Sequence, residues 1–274
     1  MNEPTRAELV RIVALLEERH GVGVRGEALP RWLEERLGNA VAALLKARRL
    51  SAEALLAQLE GEPDLAVELA NALRVGETRF YRDPAQWEAL RREVIPDLYA
   101  RRTEGQALLT LSAGCSTGEE AWTLAMLLAE AAPRAGRAKA RVLGVDRSEP
   151  ALVTARAATY DVASKRHLPS ELARRFLQPG LDGSLRVVPD LHASVAFQAR
   201  DLTRGVPPGR YAIVVCKNVL IYFGDEAQKR LVTDLLRCLT DDGVLVVARS
   251  EVPLVRALAA RSLEIAPGVT AFGA

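Results

Sequence analysis

Leu108-Leu-Thr-Leu-Ser-Ala-Gly-Cys-Ser-Thr-Gly-Glu-Glu120 decides the fold class. Its first half is an apolar run suited to a buried strand, and its second half is a bend of small residues leading into a helix. A strand that turns directly into a helix opens a parallel sheet with crossover helices. Gly114 and Gly118 let backbone approach a ligand closely, and the helix N-terminus offers unsatisfied amides. A dinucleotide site would use those amides for pyrophosphate. Here two acids, Glu119 and Glu120, follow the glycine; they repel phosphate and suit a cationic ligand such as a methionine ammonium. Taken alone, the turn is also compatible with a tight bend whose glutamates compensate the helix dipole.

The same rhythm continues on the C-terminal side. Strands are expected at 107–113, 141–145, 195–198, 211–216 and 244–248, where short runs rich in Val, Ile and Leu alternate with helical stretches. Leu124, Leu127 and Leu128 make 117–132 an amphipathic helix, and Leu231, Leu235 and Leu236 do the same for 226–239. Between Tyr160 and Leu191 the pattern breaks into Gly, Pro and charged residues, which reads as an inserted subdomain. On the N-terminal side, from Thr5 to about Leu73, the text is helical: Leu9, Ile12, Val13 and Leu16 repeat at helical spacing, as do Val41, Leu44 and Leu45. Gly21-Val-Gly, Gly38-Asn and Gly61-Glu-Pro divide this region into short helices. The expected organisation is a helical domain over 1–75, a linker and start of the catalytic region over 76–104, and an α/β Rossmann-like domain over 105–274 with an insertion at about 160–191. The change of rhythm falls near Tyr99 to Gly105.

Bulk properties narrow the class. The chain has 274 residues, 49% of them hydrophobic, and a formal net charge of +2. That is enough apolar material for a sizeable core and too weak a field to point to nucleic acid. No stretch approaches the roughly 20 apolar residues of a membrane span, so no membrane insertion and a cytoplasmic location are expected. Cys115, Cys216 and Cys238 lack metal spacing and leave one unpaired in any disulfide scheme, so they read as small apolar residues and no metal is expected. His20, His167 and His192 lie outside the strand-edge segments.

Three further segments place polar groups at expected strand ends. Arg141-Val-Leu-Gly-Val-Asp146 ends in a carboxylate at the edge where open sheets bind ligands, able to take both hydroxyls of a ribose. Helix capping is the alternative, with Ser148 as the better cap, which would leave Asp146 free. Val195-Ala-Phe-Gln-Ala-Arg-Asp-Leu202 ends in an acid beside an apolar residue. Asp201 can accept from an adenine amino group and the Leu202 amide can donate to a ring nitrogen, unless the pair is an ordinary turn before Gly205. Asn218 and Tyr222 interrupt the apolar run 211–223, and both need partners if buried.

Glu77-Thr-Arg-Phe-Tyr-Arg-Asp83, Gly114-Cys-Ser-Thr-Gly-Glu-Glu120 and Cys216-Lys-Asn-Val-Leu-Ile-Tyr-Phe223, in this order and spacing, resemble the chemotaxis receptor methyltransferases of the CheR family. The likeness extends through Val244-Leu-Val-Val-Ala-Arg-Ser-Glu251. The resemblance implies a small helical domain joined to an α/β domain that binds S-adenosyl-L-methionine and carries a β-subdomain. It also implies methylation of glutamates on the cytoplasmic helices of chemoreceptors, with S-adenosyl-L-homocysteine as product. Carried over, the cofactor contacts are Thr78, Arg82, Ala113, Glu119, Asp146, Asp201, Leu202, Asn218 and Val219, with Arg82 and Tyr222 near the reactive methyl. The chain departs from the family at Gly76 and Asp201, where Asn is usual, and at Lys217, where Arg is usual; Lys keeps the charge and loses the planar fork.

A glutamate acceptor is already ionised at neutral pH, so methyl transfer to it needs alignment rather than a general base. Arg82 is the candidate for orienting that carboxylate, and a salt bridge to Asp83 or Glu88 is its structural alternative. Lys46, Arg48 and Arg49 near a helix end match acidic methylation helices in charge, with Lys46 and Arg49 on one face. The region through Val75 holds twelve acids and ten bases, so a solvated, dipole-compensating helix end explains them as well. A methyltransferase acting on another protein or a small molecule, and a non-catalytic cofactor-binding module, are the competing functions. A dehydrogenase fits least, because acids and Cys115 stand where pyrophosphate needs glycine and amides.

Overall fold

Tyr211-Ala-Ile-Val-Val-Cys216 is buried at every position, as a strand covered on both faces of a parallel sheet must be. In the computed structural model, which describes residues 4–20, 31–62, 65, 69, 78–103, 106–132 and 139–273, it is one of ten strands. They are β1 (Leu108–Ala113), β2 (Ala140–Asp146), β3 (Thr159–Tyr160), β4 (Leu177–Pro179), β5 (Leu185–Val187), β6 (Val195–Ala199), β7 (Tyr211–Cys216), β8 (Leu239–Val247), β9 (Arg261–Ala266) and β10 (Val269–Gly273). Seven form the main sheet in the order β6-β2-β1-β7-β8-β10-β9. The first five of these pair in parallel, and β10 is antiparallel to both β8 and β9.

The chain divides into two compact units, one of Met1–Gly76 with Val219–Arg230 and one of Glu77–Asn218 with Leu231–Ala274. In the first, α1 (Arg6–His20), α2 (Arg31–Arg48) and α3 (Ala52–Gly61) bury Ile12, Leu16, Leu37, Val41, Leu55 and Leu59 against one another. Ser51 caps α3 by accepting the Ala54 amide at 3.2 Å. The expected break at Gly38-Asn does not occur, since α2 runs through it from Arg31 to Arg48; α3 ends at Gly61 as expected, and Gly21-Val-Gly lies outside the described residues.

In the second unit α4 (Pro84–Ala89) runs through a π-helical turn, Leu90–Val94, into α5 (Ile95–Ala100). Its Trp87, Leu90, Ile95 and Leu98 join the core that covers the sheet. The crossover helices are α6 (Glu119–Ala131) after β1 and α7 (Glu149–Ala157) after β2. Helix α6 starts two residues later than its periodicity suggests, because Gly118 sits at φ 96°, outside any right-handed helix.

The insertion contains α8 (Ser170–Phe176), α9 (Pro189–His192) and an antiparallel sheet in the order β3-β5-β4, whose Leu172, Phe176, Leu185 and Val187 are buried in the same core. Helix α10 (Asp225–Arg237) precedes β8, and α11 (Val252–Arg256) follows it. Strand β8 begins five residues before its expected start at 244. Its leading Thr240-Asp-Asp segment is polar, yet Leu239 pairs with Tyr211 in the ladder. The β9–β10 hairpin was absent from the expected strands although Leu263 and Ile265 alternate before Pro267-Gly268, with Gly268 at φ 71° in the turn. Among the described residues no helix is long and apolar enough to cross a membrane.

Candidate functional site

The sheet order reverses at β1, whose neighbours are β2, the next strand of the main sheet in sequence, and β7, reached after the insertion and β6. Open α/β sheets bind ligands at the carboxyl edge of such a switch point. The turn leaving β1 lies at this edge and is built from three left-handed residues, Gly114 (φ 83°), Ser116 (φ 51°) and Gly118 (φ 96°). The Gly114 and Cys115 amides donate to the Val145 carbonyl at 2.8 and 2.9 Å, and the Gly118 amide donates to the Cys115 carbonyl at 2.9 Å. The Ser116 amide donates to Asp146 Oδ2 at 3.0 Å. The turn amides of Gly114, Cys115, Ser116 and Gly118 are therefore committed within the protein. Gly118 is required twice over: besides its φ, a Cβ there would lie 2.7 Å from the Ala155 Cβ and 3.0 Å from the Tyr160 hydroxyl.

Asp146 ends β2, and its carboxylate is not free as expected. Ser148 does cap α7, accepting the Ala151 amide at 3.4 Å. Asp146 nevertheless takes the Ser116 amide on Oδ2 and the Ser148 amide on Oδ1, the latter at 2.9 Å, and is 3% exposed. It holds the β1 turn against the β2 turn. Asp201 follows β6, two residues beyond the Ala199 that pairs with Asp146. Its Oδ1 caps a 3-10 turn through the Thr203 amide at 3.0 Å and the Thr203 hydroxyl at 2.8 Å, while Leu202 is buried. The turn foreseen as the alternative for Asp201 is formed, using one of its two oxygens.

The acids after Gly118 have separate surroundings. Glu119 is buried and accepts the Thr117 hydroxyl at 2.6 Å; burial raises its carboxyl above the ordinary range, opposed by hydrogen bonds from Thr117 and, more weakly, Thr78. Two of the family positions, Thr78 and Glu119, are thus brought together. Glu120 turns towards the centre of the edge, where Ser112 Oγ donates to it at 2.8 Å. Burial pushes its carboxyl up to about 7, opposed by the positive charges of Lys217 and Arg82 and reinforced by Glu251. Arg82 therefore lies in the field of Glu120. Of the two acids expected as its salt-bridge alternatives, Asp83 pairs with Lys217 at 2.9 Å, and Glu88 takes the Tyr81 hydroxyl at 2.7 Å and pairs with Arg91 and Arg92.

At the end of β7, Lys217 Nζ donates to the Arg82 carbonyl at 2.7 Å. Asn218 is left-handed at φ 57°, its amide donates to Glu251 at 3.1 Å, and its Oδ1 is buried without a hydrogen-bond partner. Val219 and Tyr222 belong to the first compact unit, Val219 buried and Tyr222 half-buried in the 3-10 turn Leu220–Tyr222. Ala113 is fully buried as the last residue of β1. Gly76 and Glu77 lie outside the described residues.

The remaining candidates stand apart. Lys46 and Arg49 are exposed, but they do not share a helical face: α2 ends at Arg48, and Arg49 leaves it at φ 53°. Arg48 pairs with Glu62 at 3.2 Å. The three cysteines are buried and unpaired, and burial pushes the Cys115 and Cys216 thiols well above their ordinary range, which suits packing rather than nucleophilic attack. His167 is exposed, and His192 packs against Trp122 at 5.1 Å between ring centroids. Among the described residues no group of His, Cys, Asp or Glu is placed to hold a metal ion. Sequence reasoning placed Glu120 with Glu119 as acids suited to a cationic ligand, noted Lys217 only as a departure from Arg, and gave no role to Glu251 at this edge. The rule that found Asp146, a charge just beyond a strand's carboxyl end, also marks Lys217 after β7 and Glu251 after β8.

These acceptors fit S-adenosylmethionine. Glu119 and Asp146 suit ammonium and hydroxyl donors, and the orphaned Asn218 Oδ1 needs a donor that the protein does not supply. The family described as "CheR methyltransferase, SAM binding domain" matches residues 76–260. Chemotaxis protein methyltransferase 2 of Vibrio cholerae is 30% identical over 197 residues, 71% of this chain and 67% of that protein. Chemotaxis protein methyltransferase Cher2 of Pseudomonas putida is 30% identical over 204 residues, 72% of this chain and 74% of that protein. An uncharacterised 104.1 kDa protein of Rhodobacter capsulatus is 34% identical over 175 residues, 64% of this chain and 18% of that much longer protein. With the sheet order, the acid-rich turn and the family match in agreement, this chain belongs to the CheR methyltransferases, enzymes that use S-adenosylmethionine.

Proposed function

We propose that the chain is a protein-glutamate O-methyltransferase that forms methyl esters on the cytoplasmic helices of chemoreceptors, acting in the cytoplasm. In this reading residues 1–75 form its helical domain and about 160–191 its inserted subdomain. The observation that carries it is the gathering of Thr78, Glu119 and Arg82 at the switch-point edge, with Arg82 in the field of Glu120.

The bound donor supplies a methyl group made electrophilic by its sulfonium. Everything else falls to orientation. Thr78 and Glu119 take the cationic amino-acid end, Asp146 the ribose, Asp201 and Leu202 the adenine, and Ala113, Asn218 and Val219 line the donor. A receptor glutamate, with an ordinary pKa of about 4.3, arrives as a carboxylate and needs no base. Arg82 presents a planar guanidinium that can pair with that carboxylate through two parallel hydrogen bonds, which fixes its approach as well as its position. Tyr222 provides a hydrogen-bonding hydroxyl near the methyl. Lys46 and Arg49 attract the acidic receptor helix.

The test is Arg82→Ala, assayed with labelled donor and receptor cytoplasmic fragments. The expected result is donor affinity within about threefold of wild type and a 10²-fold or greater loss of turnover, on the order seen when a preorganised charge stabiliser is removed. Turnover at the wild-type rate overturns the assignment.

A further inference from the structure

The segment carrying Arg82 has an unusual backbone. Tyr81 and Asp83, on either side of it, are both left-handed, at φ 59° and φ 62°. An aspartate tolerates this region, but a bulky aromatic such as Tyr81 rarely adopts it unless surrounding structure compels it. Tyr81 is compelled from two directions: its amide donates to Thr123 Oγ1 at 3.1 Å, and its hydroxyl donates to Glu88 at 2.7 Å. One residue earlier, the Phe80 amide donates to the Ser164 carbonyl at 3.1 Å. On the following side the Asp83 carbonyl accepts the Gln86 amide at 3.0 Å. The Arg82 carbonyl and the Asp83 carboxylate are held from the end of β7, by Lys217.

The Lys217 side chain is only 2% exposed, an uncommon position for an ammonium. It donates to the Arg82 carbonyl at 2.7 Å, pairs with Asp83 at 2.9 Å, and lies 5.3 Å from the centroid of the Trp87 ring. Its positive charge also acts on Glu120, opposing the rise of that carboxyl. An ammonium so enclosed is tolerated because it donates to the Arg82 carbonyl and is paired with the Asp83 carboxylate. Its reach spans 135 residues of sequence and ties the Arg82 turn to the central strand of the sheet.

We propose that Lys217 is a positioning residue: by clamping the Arg82 carbonyl and the Asp83 carboxylate, it locks the left-handed turn that aims the Arg82 guanidinium. Its consequence for the rate rests on the role given to Arg82 above, but the clamp itself does not. It predicts that removing the ammonium frees the backbone of this turn while leaving the donor-binding edge formed by β1 and β2 in place.

The experiment uses the full chain with Lys217→Met, Lys217→Arg and Asp83→Ala, read by hydrogen exchange of the peptide spanning 79–87 and by steady-state methylation of receptor fragments. Exchange in that peptide is expected to rise at least tenfold in Lys217→Met and at least threefold in Asp83→Ala. It should return to within threefold of wild type in Lys217→Arg, with β1 protection unchanged throughout. The turnover number should fall at least tenfold in Lys217→Met, with KM for the donor within threefold. Unchanged exchange in Lys217→Met overturns the clamp, whatever happens to turnover. Faster exchange with wild-type turnover supports the clamp and instead overturns the role of Arg82. Should Lys217→Met fail to fold, Asp83→Ala decides, because Asp83 is 44% exposed in its side chain and expendable to the core: unchanged exchange there overturns the proposal.

Discussion

Replacing Glu120 by Gln removes a charge from the centre of the switch-point edge while keeping shape and the ability to accept from Ser112, 2.8 Å away. The carboxyl is pushed up from 4.5 to about 7, first by burial and then by Glu251, against the pull of Lys217 and Arg82. Between these two values the folded protein keeps a proton that the unfolded chain has released. Raising the pH therefore favours unfolding across this window, and the effect levels off above about 7. At about 1.4 kcal/mol per pKa unit, the shift corresponds to a loss of roughly 3 kcal/mol in wild-type stability as the pH rises through the window. Since Glu120 is half-buried, solvent screening places this figure at the upper end, and about 2 kcal/mol is the expected size. Glutamine does not titrate, so Glu120→Gln should gain that amount relative to wild type on going from pH 5 to pH 8. Urea unfolding of both proteins at pH 5, 6, 7 and 8, without donor, reads the difference directly, because all other titrating groups are shared. A stability difference that stays constant across the four pH values would refute the reasoning.

Two further predictions follow from the geometry. Gly118→Ala forces a Cβ to within 2.7 Å of Ala155 in a left-handed residue at φ 96°. It should cost about 2–4 kcal/mol, seen as a lowered melting temperature, and weaken donor binding in a calorimetric titration more than tenfold; a stable variant with normal affinity contradicts the reading of the turn. Reversing Lys46 and Arg49 to Glu should weaken binding of acidic receptor helices about tenfold at low salt and much less at high salt, and unchanged affinity at low salt removes them from recognition.

The catalytic unit was legible because its signals are local. The run 211–216 is apolar throughout because its strand is covered on both faces, and 108–120 carries strand, bend and helix start in one stretch. What escaped depends on contacts distant in sequence. That Leu239 continues the sheet ahead of the polar Thr240-Asp-Asp segment follows from its pairing with Tyr211, which no local pattern announces. The Asp146 carboxylate looked free once Ser148 was named as the cap, because the amide that occupies its Oδ2 comes from Ser116, on another strand's turn. Lys217 read as a weakened arginine for the same reason: its partners, Arg82 and Asp83, lie 135 and 134 residues earlier. The β9–β10 hairpin is different, since alternation and a Pro-Gly turn were both present in the text.

The nature of the methylated product tests the central claim most directly. Receptor cytoplasmic fragments incubated with the enzyme and methyl-labelled S-adenosylmethionine should acquire label that mild alkali releases as volatile methanol, and fragments with the accepting glutamates changed to glutamine should acquire none. Label that survives alkali, or that appears equally on the glutamine fragments, would contradict ester formation on glutamate.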